Sequence, residues 1–419
     1  MKKSFYFLYA LILLLSGCAS AKSGFSINSS VGLEKDSKPI NVSFEETQFT
    51  TIKDQETGIV IETETTMYPG AVLETEKGSV ILVLLESKAQ EFLGASDILL
   101  IKLNAEGDII WKKRHVSPIN NTRYSVNDAL ITSDGNIVIC GAVGISGAYV
   151  PVVMKFNMEG ELLWRKTSDE GSFSSMIEDD EGNYILLKVD NNIINFVKIA
   201  GNDIFEGNLI DFSISKIDPE YNRRLGSAVF CKLPDNSGYM LTGEFSAKDY
   251  TSDLFMAYFN NDFKLNWTKT FDYKKWEKYP GIQVLDDSIV STVLLRSSTS
   301  SSDTALVQSI SQDGNILWQK KYSDMNMHQV NSAGSNLIIG TNFQKNSKDS
   351  DILVFSSDID DNIKWITYLG TEKKDIFRFI KTLKDGSTIV VGCQSLSPES
   401  KWNTVVVYRL DTTTGKILW

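Results

Sequence analysis

Paired serine and aspartate residues recur at matching places along this chain. In each pair the aspartate precedes a tryptophan by fourteen or fifteen residues, at the start of a strand-like stretch. Aspartates repeated around a ring could together bind a cation, because Ca²⁺ and Mg²⁺ prefer carboxylate oxygens. The same residue types also form local turn hydrogen bonds at strand starts, and the recurrence favours that structural role. The pairs are Ser96-Asp97, Ser252-Asp253, Ser302-Asp303 and Ser350-Asp351.

The sequence contains few of the residues that other catalytic or metal-binding sites require. His115 and His328 are the only histidines, so a Ser-His-Asp triad, a Cys-His pair or a multi-histidine metal site is disfavoured. The stretch 358–362 resembles the start of a calcium loop, but Leu369 stands where that loop needs a glutamate. We therefore expect no cofactor and no metal, and no spacing singles out a catalytic residue. Carboxylates are plentiful, which leaves an acid/base pair open.

The elements that would position such residues form a repeat of strand, turn and strand that ends in tryptophan. Successive tryptophans in register are separated by 53, 103, 51, 47 and 54 residues, and the interval of 103 fits two periods with one tryptophan lost. A tryptophan at one fixed point per repeat is expected to pack between adjacent repeats, where it buries a large apolar area. These structural residues are Trp111, Trp164, Trp267, Trp318, Trp365 and Trp419.

A period near fifty residues with four short strands is typical of a β-propeller. Seven turns of the Asp-Gly or a similar type recur after the first strand of each repeat, and such residues suit tight hairpins. We predict an all-β fold with a single β-propeller of seven four-stranded blades over residues 66–419, and eight blades remain the alternative. Residues 41–65 are predicted to form a strand or hairpin that packs on the propeller where its first and last blades meet.

Two tryptophans, Trp276 and Trp402, fall outside the register of the repeat. Both lie in loop-like stretches, so they are the tryptophans best placed to face a ligand or partner. Single exposed apolar residues are nevertheless common on protein surfaces, which keeps a purely structural reading open. We predict Trp276 and Trp402 as possible surface binding residues.

The N-terminus looks like that of a bacterial lipoprotein. A short positive start, an apolar run from Phe5 to Leu15 and the sequence Leu15-Ser-Gly-Cys18 resemble a lipobox. The resemblance implies a signal peptide over residues 1–17 and lipidation of Cys18. Several acyl chains would anchor the protein to a membrane, and residues 18–40 read as a flexible tether. Ala19 leans towards the outer membrane of a Gram-negative bacterium, with the periplasmic face slightly favoured over the surface.

The last repeat, Asp411 to Trp419, resembles the repeat of quinoprotein-type propellers of the PQQ or WD40-like kind. The resemblance implies the fold rather than the activity, and lipoproteins with this repeat style include a non-enzymatic scaffold. A net charge of −11 argues against nucleic acid as a partner. We expect a lipid-anchored, monomeric binding or scaffold protein of the cell envelope for an unidentified protein or glycan. The alternative is a carbohydrate-active enzyme with carboxylates in the central funnel.

Overall fold

The structure is a computed structural model, and all statements below concern the residues that it describes. Cys18, the signal peptide, most of the tether and the side chains before Met67 lie outside them. The described residues are 40–43, 50–54, 58–62, 66–87, 96–116, 123–145, 148–168, 171–190, 192–200, 205–213, 225–246, 251–285, 288–296, 303–323, 329–333, 336–346, 349–358, 362–370, 374–395 and 402–419.

Strands dominate the described chain, and one short 3-10 turn, Glu76–Gly78, joins two of them. The first half contains β1 (Ile40–Ser43), β2 (Thr50–Asp54), β3 (Gly58–Glu62), β4 (Thr66–Glu74), β5 (Val80–Ser87), β6 (Ser96–Leu103), β7 (Ile109–His115), β8 (Arg123–Ile131), β9 (Ile137–Ile145), β10 (Ala148–Phe156), β11 (Leu162–Thr167), β12 (Ser172–Glu178), β13 (Tyr184–Asp190), β14 (Ile193–Ile199) and β15 (Phe205–Ser213).

The second half continues the same succession of short strands. It contains β16 (Leu225–Lys232), β17 (Gly238–Ser246), β18 (Ser252–Asn260), β19 (Leu265–Phe271), β20 (Trp276–Leu285), β21 (Ser288–Arg296), β22 (Thr304–Ile310), β23 (Ile316–Ser323), β24 (Gln329–Ala333), β25 (Asn336–Asn346), β26 (Asp349–Asp358), β27 (Ile363–Leu369), β28 (Asp375–Thr382), β29 (Ser387–Ser395) and β30 (Trp402–Asp411).

Antiparallel pairing within the described residues groups these strands in fours along the chain. We number the groups as units: β4–β7 is unit 1, β8–β11 unit 2, β12–β15 unit 3, β16–β19 unit 4, β20–β23 unit 5 and β24–β27 unit 6. Unit 7 combines β28, β29 and β30 with β3 from the N-terminus. The first strand of each unit contacts the first strand of the next, so these strands surround the centre of a ring.

The hairpins within the units depend on local turn chemistry. In the turn between β12 and β13, Asp179 Oδ1 accepts the backbone N–H of Asn183 at 2.8 Å. Gly182 in the same turn has φ of 77°, a conformation that glycine adopts without the steric cost of a side chain. The polar turn therefore sets the register, and the alternating strand residues then face the neighbouring units.

The core is divided among the seams between neighbouring units. Each seam contains an apolar cluster with residues from both units, so the burial of apolar area joins one unit to the next. The clusters include Leu82 and Val391 for units 1 and 7, Ile81 and Ile139 for units 1 and 2, Cys140 and Leu186 for units 2 and 3, Leu187 and Leu241 for units 3 and 4, Met256 and Leu306 for units 4 and 5, Val307 and Ile339 for units 5 and 6, and Val354 and Val390 for units 6 and 7.

The seam between units 7 and 1 closes the ring. β3 takes the fourth position of unit 7 by pairing with β30, with Ile59 opposite Val407, and β2 and β1 continue the same sheet beyond β3. Arg409 reaches across this seam and donates to the carbonyl oxygens of Gly78 at 3.0 Å and Ala105 at 2.6 Å. Backbone pairing thus brings β3 into unit 7, and a buried guanidinium joins unit 7 to unit 1.

Candidate functional site

Three of the repeated tryptophans bond to the unit that follows them. Their indole N–H groups donate to backbone carbonyl oxygens in or beside a turn of that next unit, at 2.8 to 3.0 Å. Each ring therefore satisfies its polar atom while its apolar area packs in the seam. The pairs are Trp267 with Gln312, Trp365 with Thr412, and Trp419 with Ala105.

The remaining three repeated tryptophans are partly buried in the same position. A Cβ atom added to Gly160 would lie 2.9 Å from the ring of Trp111, so glycine leaves the space that this ring fills in unit 2. Trp164 packs at the seam of units 2 and 3, with its ring 6.4 Å from that of Tyr184. Trp318 packs against the cluster between units 5 and 6.

The local turn interpretation of the Ser-Asp pairs is wrong for the serines. Each serine hydroxyl whose bond is described donates to a backbone carbonyl on the first strand of the next unit, 25 or 28 residues further along the chain. These serines tie adjacent units together rather than cap their own strands. The bonds join Ser96 to Tyr124 at 2.9 Å, Ser252 to Glu277 at 2.7 Å and Ser350 to Asp375 at 2.7 Å, while Ser302 lies outside the described residues.

The aspartate-rich stretch at 358–362 belongs to the hairpin between β26 and β27. Asp358 Oδ1 accepts the backbone N–H of Asn362 at 2.9 Å, and Asp358 Oδ2 lies 2.8 Å from Lys364 Nζ. Within the part of the chain that is described, no three His, Cys, Asp or Glu side chains come together in a way that could hold a metal ion. No described helix is long and apolar enough to cross a bilayer.

The two tryptophans outside the register stand at the starts of strands. Trp276 begins β20 and its side chain is 38% exposed. Three residues later Tyr279 is 54% exposed, so two aromatic side chains face solvent within residues 272–279, which follow β19 and include the start of β20. We call these residues the Trp276 segment. The backbone of Trp402 pairs with Ser395, and its side chain lies outside the described residues.

The Trp276 segment connects β19 of unit 4 to β20 of unit 5, and a buried carboxylate secures it. The side chain of Glu277 is fully buried, and its Oε1 accepts the backbone N–H of Tyr273 at 2.9 Å. The Glu277 carbonyl accepts the Ser252 hydroxyl described above, and the phenol of Tyr273 donates to Gln308 at 2.8 Å. The exposed rings therefore stand on a backbone that both units hold in place.

The backbone of the Trp276 segment is strained at two positions. Lys274 has φ of 59° and Tyr279 has φ of 54°, which side chains other than glycine adopt at a cost. The pairing of β20 with β21 also shifts register between Lys278 and Gly281. A bulge of this kind redirects a side chain, and here it accompanies the exposure of Tyr279.

Two buried carboxylates near the segment have perturbed acidity. Burial raises the pKa of Glu277 to about 7, against the lowering effect of the N–H bond from Tyr273, and Asp253 and Asp272 raise it further. Burial also raises the pKa of Glu244, which Lys278 partly offsets from 3.4 Å. Both carboxylates accept backbone N–H bonds, so they hold the strands together.

A third perturbed carboxylate, Asp128, lies on the first strand of unit 2. Burial raises its pKa to about 6, even though the backbone N–H groups of Met176 and Ala129 donate to it. Met176 belongs to unit 3, so Asp128 also ties neighbouring units. The three carboxylates with raised pKa values therefore have structural partners and are not paired with one another.

A pocket of about 340 Å³ lies at the other end of β20, between units 4 and 5. Leu233, Ile289 and Leu317 line it together with Asp235 and Gln312. None of the three carboxylates with raised pKa values lines this pocket. The Trp276 segment and the pocket thus mark opposite ends of the same seam.

The sequence indicated Trp276 but missed the residues that hold it. Ser252 and Glu244 act across the seam between units, and no local pattern reveals such partners, whereas Glu277 bonds to Tyr273 four residues earlier. One signal was visible: residues 272–279 read Asp-Tyr-Lys-Lys-Trp-Glu-Lys-Tyr, a concentration of aromatic and basic side chains in an acidic chain.

Comparison with known proteins identifies the architecture. No model of a known protein family matches this chain, and no curated protein matches its sequence. The polysaccharide lyase Uly1 is 10% identical, with 82% of this chain and 90% of that chain covered and a TM-score of 0.52. The Dos1 propeller is 10% identical, covers 88% of this chain and 85% of its own, and has a TM-score of 0.50. Drosophila Plexin A, in complex with Semaphorin 1b, is 8% identical over 84% and 87%, with a TM-score of 0.47. The chain is an all-β protein with the β-propeller fold.

Proposed function

We propose that this chain is a lipid-anchored, non-enzymatic binding or scaffold protein of the cell envelope, built on a seven-bladed propeller. Its partner, a protein or a glycan, binds at the Trp276 segment. The observation that supports this most is the exposure of Trp276 and Tyr279 on a backbone held by the fully buried Glu277. Aromatic anchors on a pre-organised backbone lose little conformational freedom on binding.

Binding fits the carboxylates better than catalysis does. A general acid must reach its substrate, whereas Glu277 is fully buried and bonded to the backbone of Tyr273. Glu244 and Asp128 likewise accept N–H groups from a neighbouring unit. The raised pKa values of all three follow from burial, and Glu277 and Glu244 hold the backbone of the Trp276 segment.

The anchor part of the proposal rests on Cys18. We expect Cys18→Ser to abolish acylation and to release the protein from the outer membrane fraction, because acyl chains provide its membrane affinity. Labelling with a fatty-acid analogue and fractionation of the envelope measure both effects. A Cys18→Ser protein that still incorporates the label would contradict the lipoprotein assignment.

The binding part is tested by affinity capture of the full-length lipidated protein from envelopes. Trp276→Ala should remove the partner, whether the partner is identified by peptide mass spectrometry or by sugar analysis. Tyr149→Ala is the matched control, because Tyr149 is a 52% exposed aromatic residue in unit 2. Equal recovery of the partner with wild type and Trp276→Ala would place the binding surface elsewhere.

A further inference from the structure

The Trp276 segment contains more lysines than acidic residues, although the chain as a whole is acidic. The chain carries a net charge of −11, yet the segment contains Lys274, Lys275 and Lys278 against two acids. One of those acids, Glu277, is fully buried and faces no solvent. Lys274 forms an ion pair with Asp272, and Lys278 lies 3.4 Å from Glu244, so Lys275 gives the aromatic surface of the segment its basic character.

Two further cations extend this basic surface within unit 5. Arg296 pairs with Trp276 across β20 and β21, and its Nε lies 3.3 Å from Asp303. Lys321 on β23 places its Nζ 6.0 Å from the ring centre of Tyr273. Among the described residues, neither Lys275 nor Lys321 has a carboxylate within ion-pair distance. Cationic capacity thus remains for a ligand.

We propose that the Trp276 segment binds an anionic polysaccharide, with Trp276 and Tyr279 stacking on sugar rings and Lys275 and the neighbouring Lys321 contacting its acidic groups. This inference rests on the function proposed above and names the class of its ligand. Trp276 and Tyr279 are separated along β20 by at most roughly 10 Å, a distance that consecutive sugars of one chain can span.

Three comparisons favour this ligand over other partners. Lysine is depleted in protein–protein interfaces, whereas the segment has three lysines in eight residues. Duplex DNA carries a charge every ~1.7 Å, and a body of net charge −11 repels a polyanion of that density. A polysaccharide with about one charge per sugar has sparser charge and offers the flat apolar ring faces that an exposed tryptophan can cover.

The test uses the full-length protein in detergent and polygalacturonate as the probe, in affinity electrophoresis at low and high salt. Fully methyl-esterified polygalacturonate is the matched control polymer, since it keeps the sugar chain and removes the charge. We expect wild type to bind polygalacturonate roughly tenfold more tightly than the ester, and to weaken as salt rises. Equal affinity for the two polymers, or no affinity for either, would overturn the proposal.

Matched variants separate the aromatic from the electrostatic contribution. Trp276→Ala and Lys275→Glu should each lower the affinity by roughly tenfold, while Tyr149→Ala and Lys416→Glu, both at exposed positions elsewhere, should leave it unchanged. If Lys275→Glu acts and Trp276→Ala does not, the protein only attracts polyanions and the proposed site is wrong. Binding to vesicles of anionic lipid but not to polygalacturonate would also overturn it.

The two experiments test the class of ligand and the location of the binding face separately. If polygalacturonate does not bind but Trp276→Ala still removes a partner captured from envelopes, the ligand class is wrong and the binding face stands. If neither experiment responds to Trp276→Ala, the binding face itself is wrong.

Discussion

The seam between units 7 and 1 and the seam between units 4 and 5 share one kind of contact and differ in the others. In both, a tryptophan donates its indole N–H to the next unit, from Trp419 to Ala105 and from Trp267 to Gln312. The first seam adds Arg409, whose guanidinium donates to Asp385 and to the carbonyl oxygens of Gly78 and Ala105. The second adds the strained Trp276 segment and leaves two aromatic side chains exposed.

The two seams use the same repeat with different consequences for stability. At the closing seam every polar group of Arg409 has a protein partner, so the available interactions stabilise the ring. At the seam of units 4 and 5 the buried Glu277 and strained φ angles cost stability and fix the exposed rings in place. Strain of this kind is characteristic of binding sites, because rigid positioning lowers the cost of association.

The largest expected effect is on stability, and it distinguishes a repeated tryptophan packed in a seam from Trp276, which lies outside the repeat. Trp419→Ala should lower the free energy of unfolding by about 3–5 kcal/mol, since it removes a large buried aromatic side chain from the closing seam. Trp276→Ala should change it by less than about 1 kcal/mol, because 38% of that side chain is exposed. Chemical denaturation of both variants measures the difference. Similar values for the two would contradict the division of roles.

The next effect tests the closing ion pair. Arg409→Met should cost about 2–3 kcal/mol at pH 7, because it removes the donor of the Gly78 carbonyl oxygen and one of the donors of Asp385 and of the Ala105 carbonyl oxygen. Burial alone would raise the pKa of Asp385, but bonds from Ser387 and Arg409 outweigh it and hold that pKa below its usual value. The carboxylate therefore contributes stability above its unfolded pKa and loses it as the pH falls through the lower folded one.

That sign gives a second readout for the same variant. The difference in unfolding free energy between wild type and Arg409→Met should shrink when the pH is lowered from 7 to below the usual pKa of an aspartate, about 4. Denaturant melts at the two pH values measure it. A penalty that is unchanged in acid would show that Arg409 acts by packing alone.

The sequence predicted much of the fold because the repeat is local. A turn of Asp and Gly followed by alternating apolar residues determines each hairpin within about fifteen residues, and no distant partner is needed. The third repeat lacks its tryptophan, yet β12–β15 still form a unit. In unit 4, which follows, Phe263 has φ of 57°, and its ring stacks on that of Tyr239 with 4.8 Å between the ring centres. Phe263 lies in the same kind of turn as Gly160 and Gly314 of other units, and each of those glycines faces the ring of a repeated tryptophan.

The candidate site was predicted only in part because its supports are distant in sequence. Trp276 stood out as a break in the register, and the structure places it on the surface. Ser252 bonds to Glu277 25 residues later, and Glu244 lies 3.4 Å from Lys278, 34 residues away. Only the packing of units 4 and 5 brings these residues together, so spacing within one repeat could not reveal them.

A smaller effect probes the buried carboxylate beneath the Trp276 segment. Because burial raises the pKa of Glu277 to about 7, its contribution to stability is complete below the unfolded pKa and is lost as the pH rises through about 7. Glu277→Gln keeps an acceptor for the Tyr273 N–H and removes the charge. It should be more stable than wild type at pH 8, on the order of 1–2 kcal/mol, and depend less on pH between 5 and 8.

The exposed Glu159 offers a control for that comparison. Glu159→Gln should leave the pH dependence of wild type intact in the same denaturation series. If Glu277→Gln and Glu159→Gln behave alike, the buried carboxylate does not titrate in this range and the segment is held by other contacts.

Photo-crosslinking in intact cells tests the central claim most directly. A benzophenone amino acid replaces Trp276 in one full-length protein and Tyr149, the 52% exposed aromatic residue of unit 2, in another. The account predicts a defined crosslinked product from position 276 and none from position 149. A product from position 149 alone, or the same product from both positions, would contradict the assignment of binding to the Trp276 segment.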